Sequence, residues 1–430
     1  MGMKTLMLAG AAAFAFATGA ASAATLQVWH HGGRGDGERE SIAASIDKWN
    51  TMHPDMKAEL VLLPEGSYNE QVQAAALAGK LPDLLDFDGP NYANYAWSGY
   101  LQPLNGLVPQ SVIDNEIPSL IAQGTYAPDG KLYSLGQFDS GLAVWGNKKY
   151  LTAAGVRIPK GVADAWTMAE FEDALAKLQA LPEVDHAIDL KLSYGKGEWY
   201  TYGFSPIIQS MGADLINRTT WKATGTLDSQ GAIDAMTHFQ NWVKAGYVVP
   251  ASAGDDALYG TKKSAALALV GHWMWTPQHE GLGDDLVLLP MPKFGDKQAT
   301  GMGSWCWGIT KTSSNAEATG KLLAFLLSDD EILPLTNRNG AVPGTKTAIA
   351  KSDLYKEGGA LRLFVDQLST IAVPRPVHPA YPTITGAFAQ VVADAIDGAD
   401  VTASLKKAAA AIDQDIADNQ GYPPFGGQTQ

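Results

Sequence analysis

Between residues 25 and 90 the chain alternates short apolar strands with amphipathic helices, and this alternation restricts the fold more than any other feature of the sequence. Thr25-Leu26-Gln27-Val28-Trp29 alternates in the manner of a half-buried strand and then breaks into His30-His31-Gly32-Gly33-Arg34-Gly35-Asp36-Gly37. The residues that follow predict a helix with Ile42, Ile46 and Trp49 on one face, stopping before Pro54. Next come a strand at 58–63, a helix carrying Val72 and Leu77 behind a Ser67/Glu70 capping box, and a strand Leu84-Leu85-Asp86-Phe87 running into Asp88-Gly89-Pro90. Strands interleaved with helices imply an α/β fold with a largely parallel sheet, and ligands meet such a sheet outside the carboxyl ends of its strands. The candidate binding loops are therefore 30–36, 65–68 and 86–92. Further along, Thr167 and Glu170 form a second capping box ahead of Phe171, Leu175 and Leu178, and 233–243 reads as another amphipathic helix.

The start of the chain reads as an export signal: Lys4, an apolar stretch at 6–17, and Ala21-Ser22-Ala23, with cleavage expected after Ala23. The apolar stretch is shorter than the roughly 20 residues needed to span a bilayer. The one cysteine is Cys306, so neither a lipid anchor at the cleavage site nor an intramolecular disulfide is expected, and a large core must supply the stability. A net charge of −14 argues against nucleic acid and anionic membranes as partners. The length, 430 residues, suggests two or three lobes.

A series of blocks, each weak alone, carries a resemblance. These are Gly79-Lys80-Leu81-Pro82-Asp83-Leu84 before Gly99-Tyr100-Leu101-Gln102-Pro103-Leu104, and Asp129-Gly130-Lys131-Leu132-Tyr133 before Trp145-Gly146-Asn147-Lys148. Ala266-Leu267-Ala268 before Gly271-His272-Trp273, Leu289-Pro290-Met291-Pro292, Asn339-Gly340-Ala341-Val342-Pro343, and Arg375-Pro376 before Tyr381-Pro382 complete the order. In that order the chain resembles the family 1 extracellular solute-binding proteins, the maltose-binding-protein-like receptors of carbohydrate ABC importers. The resemblance implies a two-lobed periplasmic binding protein fold with discontinuous lobes, 24–136 with 302–338 and 137–301 with 339–430. Hinge strands would lie near Tyr133–Asp139 and Met302–Trp307, with a third crossing near Arg338. It further implies a monomeric periplasmic receptor, not an enzyme, that closes on its ligand and delivers it to membrane permease subunits.

Sugars present hydroxyls that donate and accept, and flat C–H faces that behave as apolar, so a receptor needs carboxylates, amides or guanidinium groups beside aromatic rings. Trp273-Met274-Trp275 and Trp305-Cys306-Trp307 each place two indoles two residues apart, which in extended chain sets both on one face. Such rings also fill cores, but Gly271-His272 and Gly301-Met302-Gly303-Ser304 are turn-like approaches to a cleft. Trp199 and Tyr200, after Gly195-Lys196-Gly197-Glu198, suggest an aromatic lid. His30 or His31 is expected to hydrogen-bond at the cleft; because neighbours on a strand point to opposite faces, the pair is not expected to chelate a metal, and no cofactor is expected. Asp86 and Asp88 lie at a strand end, whereas Asp83 reads as a local cap. Ser67 and Asn91 from the strand-end loops, Asp139 and Gly303 from the crossings, and Arg34 and Arg375 complete the candidates. Arg375, stiffened by Pro374 and Pro376, is suited to gripping hydroxyls or a carboxylate. Two other readings stay open: the same fold taking a polyol, sugar acid or phosphorylated or sulfonated polyol through Arg34, Arg375 and the Gly32 and Gly33 amides, and a secreted glycoside hydrolase or lyase.

Overall fold

The computed structural model describes residues 25–32, 36–64 and 67–424. The export signal, its cleavage position and Arg34 lie outside the described residues.

Two four-stranded sheets organise the chain. The first has the order 305–309, 84–88, 26–30, 58–62. Its strand Leu26–His30 pairs in parallel with both Ala58–Leu62 and Leu84–Asp88, while Trp305–Ile309 returns from the far end of the chain to pair antiparallel with Leu84–Asp88. The expected βαβ unit is present, with a late strand added at its edge. Helix Asp36–Met52 buries Ile42, Ile46 and Trp49 against Val28, Leu84 and Ile309, and the Trp49 indole N–H donates to the Met56 carbonyl at 2.8 Å, fixing the turn after the helix. Alternation along a strand sends Leu84 to this core and Phe87 to the opposite side.

The second sheet has the order 286–289, 142–147, 265–271, 186–189 and mixes antiparallel with parallel pairing. Helices Met168–Gln179, Glu198–Ser210, Gln230–Lys244, Tyr381–Ile396 and Val401–Asp418 belong to the same large core. The Thr167/Glu170 capping box forms as expected. The one expected at Ser67 does not: Ser67 has ψ 13°, already turned into the helix, and its Oγ accepts from Gln71 Nε2 at 2.9 Å instead of from a backbone amide.

Between the sheets the backbone crosses in neighbouring segments. Phe138–Asp139 pairs antiparallel with Val342–Pro343, Gly141 bridges to Met302, and Leu135 bridges to Trp307. Asp139 ties them together, its Oδ1 accepting the amides of Ser140 (2.8 Å) and Gly303 (3.1 Å) and its Oδ2 the hydroxyl of Ser119 (2.6 Å). The molecule is thus a two-lobed α/β protein with discontinuous lobes.

Gly303 permits the closest approach at this junction. Its φ is +107°, and a Cβ there would lie 2.8 Å from Gln123 Oε1 and 3.2 Å from Arg375 Nη2. Gly303→Ala is expected to destabilise the protein by ~1–3 kcal/mol through backbone strain alone. Gly386→Ala, in open space on helix Tyr381–Ile396, should be neutral or stabilising. Thermal denaturation of the two variants checks this, and equal melting temperatures would contradict it.

Candidate ligand-binding cleft

Register brings the first group of side chains together. Trp305 lies opposite Asp88 and Trp307 opposite Asp86 across the antiparallel pair, so these four share one face of the sheet. His30 arrives on the same face from the parallel neighbour, with Nε2 3.3 Å from Asp86 Oδ2. Above this carboxyl end opens a cavity of about 370 Å³. The first lobe supplies His31, Glu38, Asn69, Asp88 and Trp305 to its wall, the second supplies Tyr194, Glu198, Trp199, Trp273 and Arg375, and Ser140, Gly303 and Ser304 come from the crossings.

The histidine pair corrects the sequence expectation. The strand ends at His30 and the backbone turns at Gly32 (φ +79°), so alternation does not extend to His31, and the two rings stack at 4.5 Å on the same side. His30, His31 and Asp86 consequently offer ligand atoms within 4.8 Å of one another, the geometry of a metal site. Their hydrogen bonds fit an ion pair instead. His31 Nδ1 lies 2.6 Å from Asp86 Oδ2 and its Nε2 3.3 Å from Glu38 Oε2, leaving both nitrogens facing carboxylates. His30 Nδ1 accepts the Gly32 amide at 2.9 Å, which leaves its proton on Nε2, where a metal would have to bind. Burial alone would lower the His31 pKa, but Asp86 and Glu38 raise it to about 10. Burial holds His30 neutral, its pKa falling to about 4. Although burial opposes it, the charged His31 brings Glu38 down to about 2.

The imidazolium of His31 lies flat against Trp305, ring centroids 3.5 Å apart and planes within 5°, while Tyr68 packs edge-on to the same indole. Trp305 is thereby held with its ring half-buried at the cavity wall. From the other lobe Trp273 donates Nε1–H to the Tyr194 hydroxyl at 3.2 Å and packs edge-on to Trp199, whose own Nε1–H donates to the Leu190 carbonyl. His272 completes this side: placed between the Asn339 carbonyl at Nδ1 (3.0 Å) and the Ser140 hydroxyl at Nε2 (2.7 Å), it is neutral, with burial lowering its pKa to about 4.

Arg375 occupies the base of the cleft. Its Nη1 and Nη2 donate to Asp88 Oδ2 and Oδ1, each at 2.7 Å, and Nη1 also donates to Glu198 Oε1 at 2.5 Å. The guanidinium lies 4.8 Å from the Tyr202 ring centre. Glu198 further accepts the hydroxyls of Tyr381 and Thr385. Burial raises the Glu198 pKa against the opposing pull of Arg375. The arginine expected to be free for a ligand is therefore committed to two carboxylates.

Of the candidates read from the sequence, His31, Asp88, Trp199, Trp273, Gly303, Trp305 and Arg375 meet at the cavity. His30, Asp86 and Asp139 are buried and hold other groups in position. Trp275 turns away, because 272–274 is a helical turn continuing into Trp275–Leu282 and not extended chain, and it stacks on His279. Trp307 fills the core, its Nε1–H donating to Gln137. Tyr200 follows Trp199 on a helix, so it points elsewhere, its hydroxyl 3.4 Å from the Leu192 carbonyl. Asn91 turns back to the Asp88 carbonyl, and Ser67 stays with Gln71. Sequence reasoning missed Glu38, Asn69, Ser140, Tyr194, Glu198 and His272. Glu198 carried a usable signal as the carboxylate between Gly197 and Trp199.

Comparison with known proteins agrees with this architecture. Residues 35–332 match the family model described as "Bacterial extracellular solute-binding protein", and the chain belongs to that family. It is therefore an exported binding protein. The GacH receptor of Streptomyces glaucescens, solved unliganded and with acarbose, superposes with a TM-score of 0.77 at 21% identity, covering 93% of this chain and 99% of that one. An ABC transporter solute-binding protein from Thermotoga lettingae bound to α-D-tagatose gives 0.76 at 22% identity, covering 91% and 99%. UgpB from Mycobacterium tuberculosis with glycerophosphocholine gives 0.75 at 19% identity, covering 92% and 99%. An uncharacterized lipoprotein from the oleD 5' region of Streptomyces antibioticus is 29% identical over 145 residues, 32% of this chain and 31% of that relative's length.

The raised His31 pKa has a consequence for stability. Its contribution is fully present below the ordinary histidine value of 6.5 and is lost as pH rises through about 10. Denaturant unfolding across that range should therefore show a steeper loss of stability with rising pH in the wild type than in His31→Gln. Parallel profiles would contradict the paired imidazolium.

Proposed function

We propose that the protein captures a carbohydrate, a single sugar or an oligosaccharide, between its lobes and delivers it to the permease of an ABC importer. One observation carries this reading: each lobe contributes a half-buried tryptophan, Trp305 from one and Trp273 from the other, to a cavity whose remaining wall is rich in carboxylates. That pairing matches the flat C–H faces and peripheral hydroxyls of a sugar ring. The volume, about 370 Å³, is in the range of small-ligand sites. Structures of this fold from Streptomyces glaucescens and Thermotoga lettingae are described with acarbose and tagatose, which supports the same ligand class here.

A glycoside hydrolase needs two carboxyl groups flanking the scissile bond. Asp88 and Glu198 instead share one guanidinium, which suits holding and not proton transfer. The lobes we assign are 24–136 with 302–338 and 137–301 with 339–430, closing about the crossings as a monomer. We further infer cleavage after Ala23, the end of the Ala21-Ser22-Ala23 motif.

Titration calorimetry with mono- and oligosaccharides should show stoichiometric binding without turnover. Trp305→Ala and Trp273→Ala should each weaken the best ligand by ~2 kcal/mol, about thirtyfold. Trp307→Ala, in the core, should lower the melting temperature instead. Product formation, or unchanged affinity in both cleft variants, would contradict the proposal.

A further inference from the structure

We propose that the cleft is a charge filter, admitting polyhydroxyl ligands of zero or positive charge and excluding anionic ones such as sugar acids and sugar phosphates, with Asp88 and Glu198 as the specificity-determining residues. The inference deepens the carbohydrate reading and rests on it.

Among the described residues lining the cavity, three side chains are cationic: His31, Lys196 and Arg375. Arg375 donates from Nη1 to Asp88 and Glu198 and from Nη2 to Asp88, while its Nε is buried without a partner. His31 has a carboxylate at each nitrogen. Lys196 is exposed at the rim and donates to Gln390. An anionic group needs a cation whose charge is not already opposed, and each buried cation here faces two protein carboxylates: Arg375 meets Asp88 and Glu198, and His31 meets Asp86 and Glu38.

Acceptors remain plentiful. Glu38, Glu70, Asp88 and Glu198 all line the cavity, and a carboxylate oxygen that accepts one hydrogen bond keeps a lone pair for another. Asn69 Oδ1 adds a buried acceptor that no protein group satisfies. A sugar hydroxyl or a protonated amine meets these acceptors as a donor. A carboxylate or phosphate adds negative charge to a wall that already sets four carboxylates against three cations, and burial weakens screening around Asp88 and Glu38.

The test is titration of the mature protein with glucose, glucosamine and glucuronate, and with maltotriose, the glucosamine trimer and trigalacturonate. Inorganic phosphate is added as a thermal-shift probe that contains no sugar. In the wild type the uronates should bind at least ~30-fold more weakly than their neutral counterparts, and phosphate should leave the melting temperature unmoved. Asp88→Asn and Glu198→Gln each free part of the Arg375 fork, so each should narrow that ratio to about threefold or less and let phosphate raise the melting temperature. Uronate binding as tight as that of the neutral sugar, phosphate stabilising the wild type, or discrimination unchanged in both variants would overturn the filter. If no sugar of any charge binds, the carbohydrate reading falls, and the phosphate arm still decides the filter.

Discussion

A guanidinium buried between two carboxylates is the interaction on which the cleft depends. Asp88 comes from the carboxyl end of the first sheet's central strand, Glu198 from the first turn of a helix in the other lobe, and Arg375 from the segment after a short strand that pairs with 300–302. Three remote parts of the chain therefore converge on one charge. The cost of burying that charge is offset by three hydrogen bonds to the two carboxylates, and breaking such a pair by removing one partner typically costs about 3–5 kcal/mol. The flanking Pro374 and Pro376 reduce the entropy that Arg375 loses on being fixed, and Gly303 leaves room for its Nη2.

A second buried ion network, His31 with Asp86 and Glu38, does for the aromatic wall what Arg375 does for the base. It holds an imidazolium flat against Trp305, so that one face of the indole is supported by the protein. The rings and acceptors are consequently in place before a ligand arrives, which lowers the ordering cost of binding. Lobe closure, in a two-lobed receptor, can then be driven by the difference in contacts a ligand makes with the open and closed states.

Local features were legible in the sequence where local physics decides them. The 3.6-residue spacing of Ile42, Ile46 and Trp49, the Thr167 cap and the strand-end position of Asp88 all reappear in the structure, whereas Asp86 lies mid-strand. Reading failed where a segment changed conformation within one or two residues. Trp275 left the expected face because a helical turn starts at His272, and His31 joined His30 because the strand stops one residue earlier. The pairing of strand Trp305–Ile309 with Leu84–Asp88, and the meeting of Asp88 with Arg375, span more than 200 residues, a separation at which no local pattern operates. Ordered blocks resembling a known family pointed to that architecture; the commitment of Arg375 to two carboxylates depends on contacts between remote segments, which no local pattern encodes.

The most direct measurement is a crystal structure of the protein with whichever sugar most stabilises it. The account predicts a sugar ring lying between Trp305 and Trp273, its hydroxyls donating to Asp88, Glu198 or Glu38, and the Arg375–Asp88 pair intact. A ligand bound elsewhere, or Arg375 swung away from Asp88 to grip it, would contradict the account.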